Sequence, residues 1–237
     1  MVDLKGIIDQ GSPGKVVEEY YHSNQTSRDY LGLSEIGHEC KRCLWYKHHG
    51  YTPSLIDGRT LRLFKLGDNI EDQAVLDLRN AGYTITDQQK EVKFDHNGIT
   101  LRGHVDGQIT GLLESKKPHL WECKSANDKS FKNLLKCRSY KEWSAKYYAQ
   151  VQVYALGLGL DNILVWVSNK NDSSLYTERI KLDREYAVTL LQDVFAAILM
   201  EDPPDRLCPS MSWYQSKWCD FSDVCWQSTL QPAPQAG

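Results

Sequence analysis

Asp106, Glu122 and Lys124 are the residues whose types and spacing point most directly to chemistry. Asp106 lies in Gly103-His104-Val105-Asp106-Gly107, and Glu122 and Lys124 lie in Trp121-Glu122-Cys123-Lys124. Residues two apart on a strand share one sheet face. Adjacent strands in suitable register would therefore present two carboxylates and one ammonium together. Hard carboxylate oxygens suit Mg²⁺ or Mn²⁺, which retain waters for a substrate. Such an ion polarises a phosphate and lowers the pKa of a bound water. A neighbouring lysine holds the nucleophile or stabilises charge in the transition state. The pattern thus points to phosphodiester hydrolysis. Cys123 faces the other side, and its backbone carbonyl is a further candidate ligand.

Local sequence signals supply the elements that would carry this set. Lys15 to Ser23 reads as a short helix, and Ser34 to His49 as a second one ended by Gly50. Thr60 to Asn80 repeats apolar residues at Leu63, Leu66, Ile70, Ala74 and Leu78, a helical period. Tyr83–Phe94 and Ile99–Thr110 read as strands around an Asn97-Gly98 turn. His119–Lys124 is a third strand, followed by helices over Asp128–Leu135 and Glu142–Leu158. Asn162–Val167 and Leu175–Ile180 add two strands, and Arg184–Met200 a last helix. This order predicts an α/β fold, a mixed central sheet flanked by helices.

The motifs, taken in order, resemble the PD-(D/E)XK nuclease superfamily, in its RecB-like and phage-type exonuclease branch related to CRISPR-adaptation exonucleases. The resemblance covers about residues 28 to 226 and implies a restriction-endonuclease-like core. It makes Asp106 and Glu122 metal ligands and Lys124 the catalytic lysine. Gln150 and Tyr154, four apart on one helical face, resemble the Gln-x-x-x-Tyr motif beside such active sites. Phe64-Lys65-Leu66-Gly67-Asp68-Asn69-Ile70-Glu71 resembles the first motif, with Glu71 as its acid. The histidine many relatives carry near there is missing, so Glu71 reads equally as an exposed helix acid. His104 reads as a structural residue.

The seven cysteines include pairs near each end, and clustered thiols in a reducing compartment suggest metal before disulfide. In the similar family, one N-terminal and three C-terminal cysteines hold a [4Fe–4S] cluster. Here Cys219 and Cys225 keep the C-terminal spacing, but Ser216 stands where the first cysteine of the triplet is expected. Cys40 and Cys43 form an unusual pair. Four thiolates drawn from Cys40, Cys43, Cys208, Cys219 and Cys225 would suit a cluster or zinc. The resemblance favours the cluster, and unligated thiols are the plainer alternative. Cys137 has no partner nearby in sequence.

The formal charge is −3 and the pI about 6.2, which excludes a globally basic nucleic-acid binder. Between Lys116 and Lys146, however, nine basic residues face three acids, a local excess of six. Lys129, Lys132, Lys136, Lys146 and Tyr147 are the candidate DNA contacts, since cations beside aromatics suit a single strand. A solvated helix face with core aromatics would look the same. No run of about 18 apolar residues is present, so no membrane partner is expected, and the predicted location is cytoplasmic, or host cytoplasm for a viral protein. The predicted organisation is an N-terminal extension (1–27), a nuclease domain (28–227) and a disordered tail (228–237). Segments 28–50 and 205–227 form a Cys-rich metal-binding appendage.

The reading that follows is a Mg²⁺- or Mn²⁺-dependent DNA exonuclease acting on ends or single strands, in recombination or DNA processing. The resemblance suggests a viral or phage role, with a homo-oligomer or a separate recombination or helicase partner; the chain has no nucleotide-binding Gly-x-x-x-x-Gly-Lys-Ser/Thr loop of its own. The alternative is a non-catalytic, metal-stabilised DNA-binding subunit of a recombination or CRISPR-adaptation complex.

Overall fold

The computed structural model describes residues 11–26 and 30–227; the expected tail, 228–237, lies outside them. Helix α1 (Pro13–Ser23) starts with Pro at its first turn, where the missing N–H costs nothing. It packs on α3 (Gly58–Asn80). The approach requires glycine: a Cβ at Gly58 would fall 1.8 Å from the Glu18 carbonyl oxygen. The N-terminal extension thus contributes a docked helix. Asp57 caps α3 by accepting from the Thr60 N–H at 2.9 Å.

Five strands form the main sheet in the order β1 (Thr84–Thr86), β4 (Gly107–Thr110), β5 (His119–Ala126), β6 (Asn162–Asn169), β7 (Leu175–Lys181). Only β5 and β6 run parallel, which requires a long crossover. Helices α4 (Asp128–Cys137), α5 (Tyr140–Trp143) and α6 (Ala145–Leu158) provide it. Strands β2 (Glu91–His96) and β3 (Ile99–His104) form a separate hairpin. Its turn residues Asn97 and Gly98 both have positive φ, 48° and 79°, as the Asn-Gly signal predicts.

The central strands are buried on both faces. Leu120 of β5 and Ile163, Val165 and Val167 of β6 join a core with α6 and α7 (Arg184–Ile198). Trp121 and Cys123 of β5 and Leu164 of β6 join another with Ala74, Val75 and Leu78 of α3. Alternate residues of β5 therefore face different helix layers, and Glu122 and Lys124 fall on the α6 side.

Four predicted elements break where tertiary contacts outweigh local pattern. The expected helix over 34–49 is a 3₁₀ turn at Leu33–Glu35 followed by α2 (Lys41–His48). Between them Gly37 presses on α6, and a Cβ there would lie 2.6 Å from the Ala149 Cβ. The two expected strands over 83–94 and 99–110 become four. The chain pairs as a hairpin through His104, keeps backbone bonds from Val105 to Gln89 and Lys90, and turns at Asp106 to join the main sheet as β4. Asp106 thus sits at the corner between β3 and β4, outside a regular strand. The expected helix over 142–158 divides at Ser144, whose φ and ψ of −154° and 100° are extended and whose hydroxyl accepts from the Tyr147 N–H at 3.3 Å. No helix among the described residues is long and apolar enough to cross a membrane.

Candidate active site and cysteine cavity

The pairing of Gly107 with Trp121 brings the preceding residue, Asp106, beside Glu122. Asp106 is buried, and its Oδ2 accepts from the Cys123 N–H at 2.8 Å. Glu122 is fully buried in mid-β5. Its Oε1 accepts from the Lys124 Nζ at 2.5 Å and from the Gln150 Nε2 at 2.6 Å. Its Oε2 is buried with no hydrogen-bond partner. Glu71 reaches the same cluster from α3, and the Gln89 amide donates to it at 3.4 Å. The Lys124 Nζ lies 5.4 Å from the centroid of the Tyr147 ring.

Crowded carboxylates in a buried site resist ionisation. Burial, reinforced by the charge of Asp106, pushes Glu122 up to about 8 and Glu71 up to about 7. Burial also raises Asp106, against the pull of Lys124 and the Cys123 N–H. For Lys124, burial opposes the charged form, but Glu122 and Asp106 outweigh it and hold the ammonium well above its ordinary range. The Cys123 thiol is also raised, chiefly by burial, so it is a neutral core group.

The structure therefore brings together Glu71, Asp106, Glu122, Lys124 and Gln150. Tyr154, one helical turn beyond Gln150, is buried against β3; a Cβ at Gly103 would lie 2.6 Å from its hydroxyl oxygen. Cys123 directs its side chain into the opposite core, leaving only its backbone carbonyl as a candidate donor. His104 is exposed, outside the cluster. Among the described residues no three Cys, His, Asp or Glu side chains are already drawn into a metal cage. Asp106 and Glu122 nonetheless fit a hard divalent cation in donor chemistry: they are convergent carboxylates, and one buried oxygen has nothing else to bind. Sequence reasoning passed over Tyr140, whose hydroxyl is also buried without a partner.

Lys129, Lys132 and Lys136 are exposed along α4, and Lys146 is exposed at the start of α6. Lys132 pairs with Asp128 at 2.8 Å. The interleaved aromatics are arranged otherwise than a base-stacking platform needs. Tyr147 packs with Trp143 and Tyr140 at centroid distances of 5.5 and 6.4 Å, and Tyr148 is buried. At the junction of α5 and α6, Tyr140 and Tyr148 are buried in the core while Trp143 and Tyr147 are half-buried against it.

Cys40, Cys43, Cys208, Cys219 and Cys225 line one cavity, together with Ser216. All five are free thiols, and the Cys43 and Cys219 sulfurs lie 3.3 Å apart. The hydrogen bond from Cys43 holds Cys40 down at about 5 and also lowers Cys219, to about 7. Bonds to both neighbours push Cys43 far up. Burial raises Cys208. Ser216 is buried, accepts from the Trp226 Nε1 at 2.9 Å and shares a 3.1 Å hydrogen bond with Ser222. Thiolates are the metal-binding form of cysteine, so this donor set fits a thiolate-ligated metal or cluster. Cys137 lies apart, with its thiol directed at the Leu134 and Ser139 carbonyls.

Direct contacts join the two chain ends around this cavity. The Trp45 Nε1 donates to the Met200 carbonyl at 2.9 Å, and Arg42 donates to the Pro204 carbonyl at 2.8 Å. Trp45, Tyr46 and Tyr51 form a small core with Phe221.

No family model and no curated protein matches this chain. Solved structures do. One described as SSO0001 superposes with a TM-score of 0.50 at 17% identity, covering 91% of this chain and 97% of its own. LHK-Exo in complex with dAMP gives a TM-score of 0.50 at 15% identity, covering 76% of this chain and 89% of its own. LHK-Exo is described as an alkaline exonuclease from Laribacter hongkongensis. At such identities the likeness is one of architecture: this chain has the mixed α/β fold found in those proteins.

Proposed function

We propose that this chain is a divalent-metal-dependent deoxyribonuclease, an exonuclease acting on DNA ends or single strands. The observation that carries the reading is Glu122: a fully buried carboxylate with a free Oε2, beside Asp106 and bonded to Lys124 and Gln150. An unpaired buried carboxylate oxygen is costly, and a cation would relieve that cost. Fold likeness to an exonuclease agrees with the reading as an analogy, and the chemistry rests on the site.

Asp106 and Glu122 would hold Mg²⁺ or Mn²⁺, with Glu71 and the Cys123 carbonyl as further donors. When bound, the ion supplies Lewis acidity and lowers the pKa of a ligated water. Lys124, kept protonated by the carboxylates, supplies positive charge where the phosphate gains negative charge. Gln150 fixes the rotamer of Glu122, and Tyr154 braces α6 against β3. Lys129, Lys132, Lys136 and Lys146 provide exposed charge for the DNA backbone.

The five cysteines would hold a [4Fe–4S] cluster, with zinc as the alternative, and tie the two chain ends together. Iron–sulfur stands first because of the family resemblance. Metal analysis and absorbance near about 400 nm separate the two, since thiolate-ligated clusters are coloured and zinc is not. The nuclease reading is tested on end-labelled single strands with Mn²⁺, comparing the protein with Asp106→Ala. Degradation by the first alone is expected. Equal degradation by both would reject the assigned centre.

A further inference from the structure

Lys124 has one carboxylate partner in this structure, and it is the residue the proposed cation needs. Its Nζ donates to Glu122 Oε1, while the Glu122 Oε2 stays unpaired. An ammonium has three donors and no acceptor. When Glu122 turns its negative charge to a cation, the nearby lysine faces a second positive charge and a weakened acceptor. A half-buried ammonium in that position gains from another oxygen.

Tyr140 offers one. It is fully buried, and its hydroxyl has no hydrogen-bond partner. Its backbone N–H donates to Glu178 Oε2 at 2.7 Å, which pins α5 to β7. Its ring packs on Tyr147, the same ring that lies under the Lys124 Nζ. Tyr140 and Lys124 also lie near enough to interact electrostatically. Leaving a buried hydroxyl unsatisfied costs free energy that an apolar ring would not lose. An idle phenol beside a lysine is therefore poorly explained as packing alone, because Phe would fill the same space without that cost.

We propose that Tyr140 is a positioning residue, whose hydroxyl accepts a hydrogen bond from the Lys124 ammonium once a divalent cation engages Glu122. The lysine then stays aimed at the substrate phosphate. This inference rests on the nuclease reading above.

The test is Tyr140→Phe, which removes one oxygen and keeps the ring. Three quantities are measured against the wild-type protein: melting temperature without added metal, Mn²⁺ affinity by calorimetry, and kcat and KM on labelled strands. The variant should melt at the same temperature or higher, because it loses an unpartnered polar atom. Its Mn²⁺ affinity should fall several-fold, since Lys124 then opposes the ion. Its kcat should fall about tenfold with KM nearly unchanged, within the 10–100-fold range seen when groups supporting a metal centre are removed. A lowered melting temperature would show a structural partner for the hydroxyl and overturn the proposal. So would Mn²⁺ affinity and kcat both within about twofold of wild type. If the wild-type protein itself neither binds Mn²⁺ nor cleaves DNA, the nuclease reading fails first and takes this inference with it.

Discussion

The acidic centre and the cysteine cavity are both clusters of potential ligands, but different forces hold them. Glu122 and Lys124 sit on one strand, and Asp106 sits at the corner just before β4, held beside them by a register that β4, β5 and β6 and cores on both faces set. The cavity is assembled from α2, the 207–219 segment and the short helix α8 (Ser222–Trp226), contributed by distant parts of the chain. A sheet holds its side chains whether or not a ligand is present. A cavity made of chain ends depends on those ends meeting, so a metal there would contribute to folding itself. The first region is held by the sheet itself, the second by the meeting of the two chain ends.

The sharpest way to break this contrast is Lys124→Ala. Its turnover should fall by about 10²- to 10³-fold, the range for removing one charge-stabilising group from a transition state. DNA affinity should stay within a few-fold, because the exposed lysines of α4 remain. Single-turnover cleavage with a parallel binding titration checks both. A variant that no longer binds DNA would make Lys124 a phosphate anchor. The double change Cys43→Ser with Cys219→Ser should act in the opposite sense. Bound metal should be lost and the melting temperature should drop by several degrees, about 2–4 °C for each kcal/mol in a chain of this size. Turnover per folded molecule should hold within about twofold at low temperature. If turnover collapses while circular dichroism stays native, the two regions are not independent.

A smaller effect comes from pH. Glu122 and Glu71 have folded pKa values of about 8 and about 7, above the ordinary carboxylate range. Between pH 5 and 8 the folded protein therefore binds more protons than the unfolded chain, and stability falls as pH rises. Metal-free protein should lose a few degrees of melting temperature across that interval. Mn²⁺ should restore more at pH 8 than at pH 5, because it competes with protons for the same oxygens. A melting temperature that rises with pH in the absence of metal would mean that the carboxylates are already paired.

The contrast also explains what could be read from the sequence. Glu122 and Lys124 were legible because a period of two in β5 puts them on one face. The mixed sheet with flanking helices followed from the element order. The corner at Asp106 was not legible, because the change of partner after Val105 is decided by where β4 pairs, far from local pattern. The break at Gly37 was hidden for the same reason, since its cause is Ala149 on α6. The division at Ser144 had a signal: Ser139 and Ser144 are both helix caps, and Ser139 precedes Glu142 by three residues. Tyr140 had none, because an unpartnered hydroxyl is a property of three-dimensional packing alone.

The smallest expected effect belongs to the basic face of α4. Lys132 is exposed and already paired with Asp128 four residues earlier, so removing it should leave the melting temperature nearly unchanged. Under the proposed function its contribution to DNA binding would be electrostatic and independent of base sequence. If Lys132 neutralises one phosphate, Lys132→Ala should make the slope of log affinity against log salt shallower by about 0.7 on single strands. The intercept should fall alike for strands of different sequence. An unchanged slope would leave Lys132 to its intrahelical partner, moving the DNA path away from this face of α4 toward Lys146 and the mouth of the acidic centre.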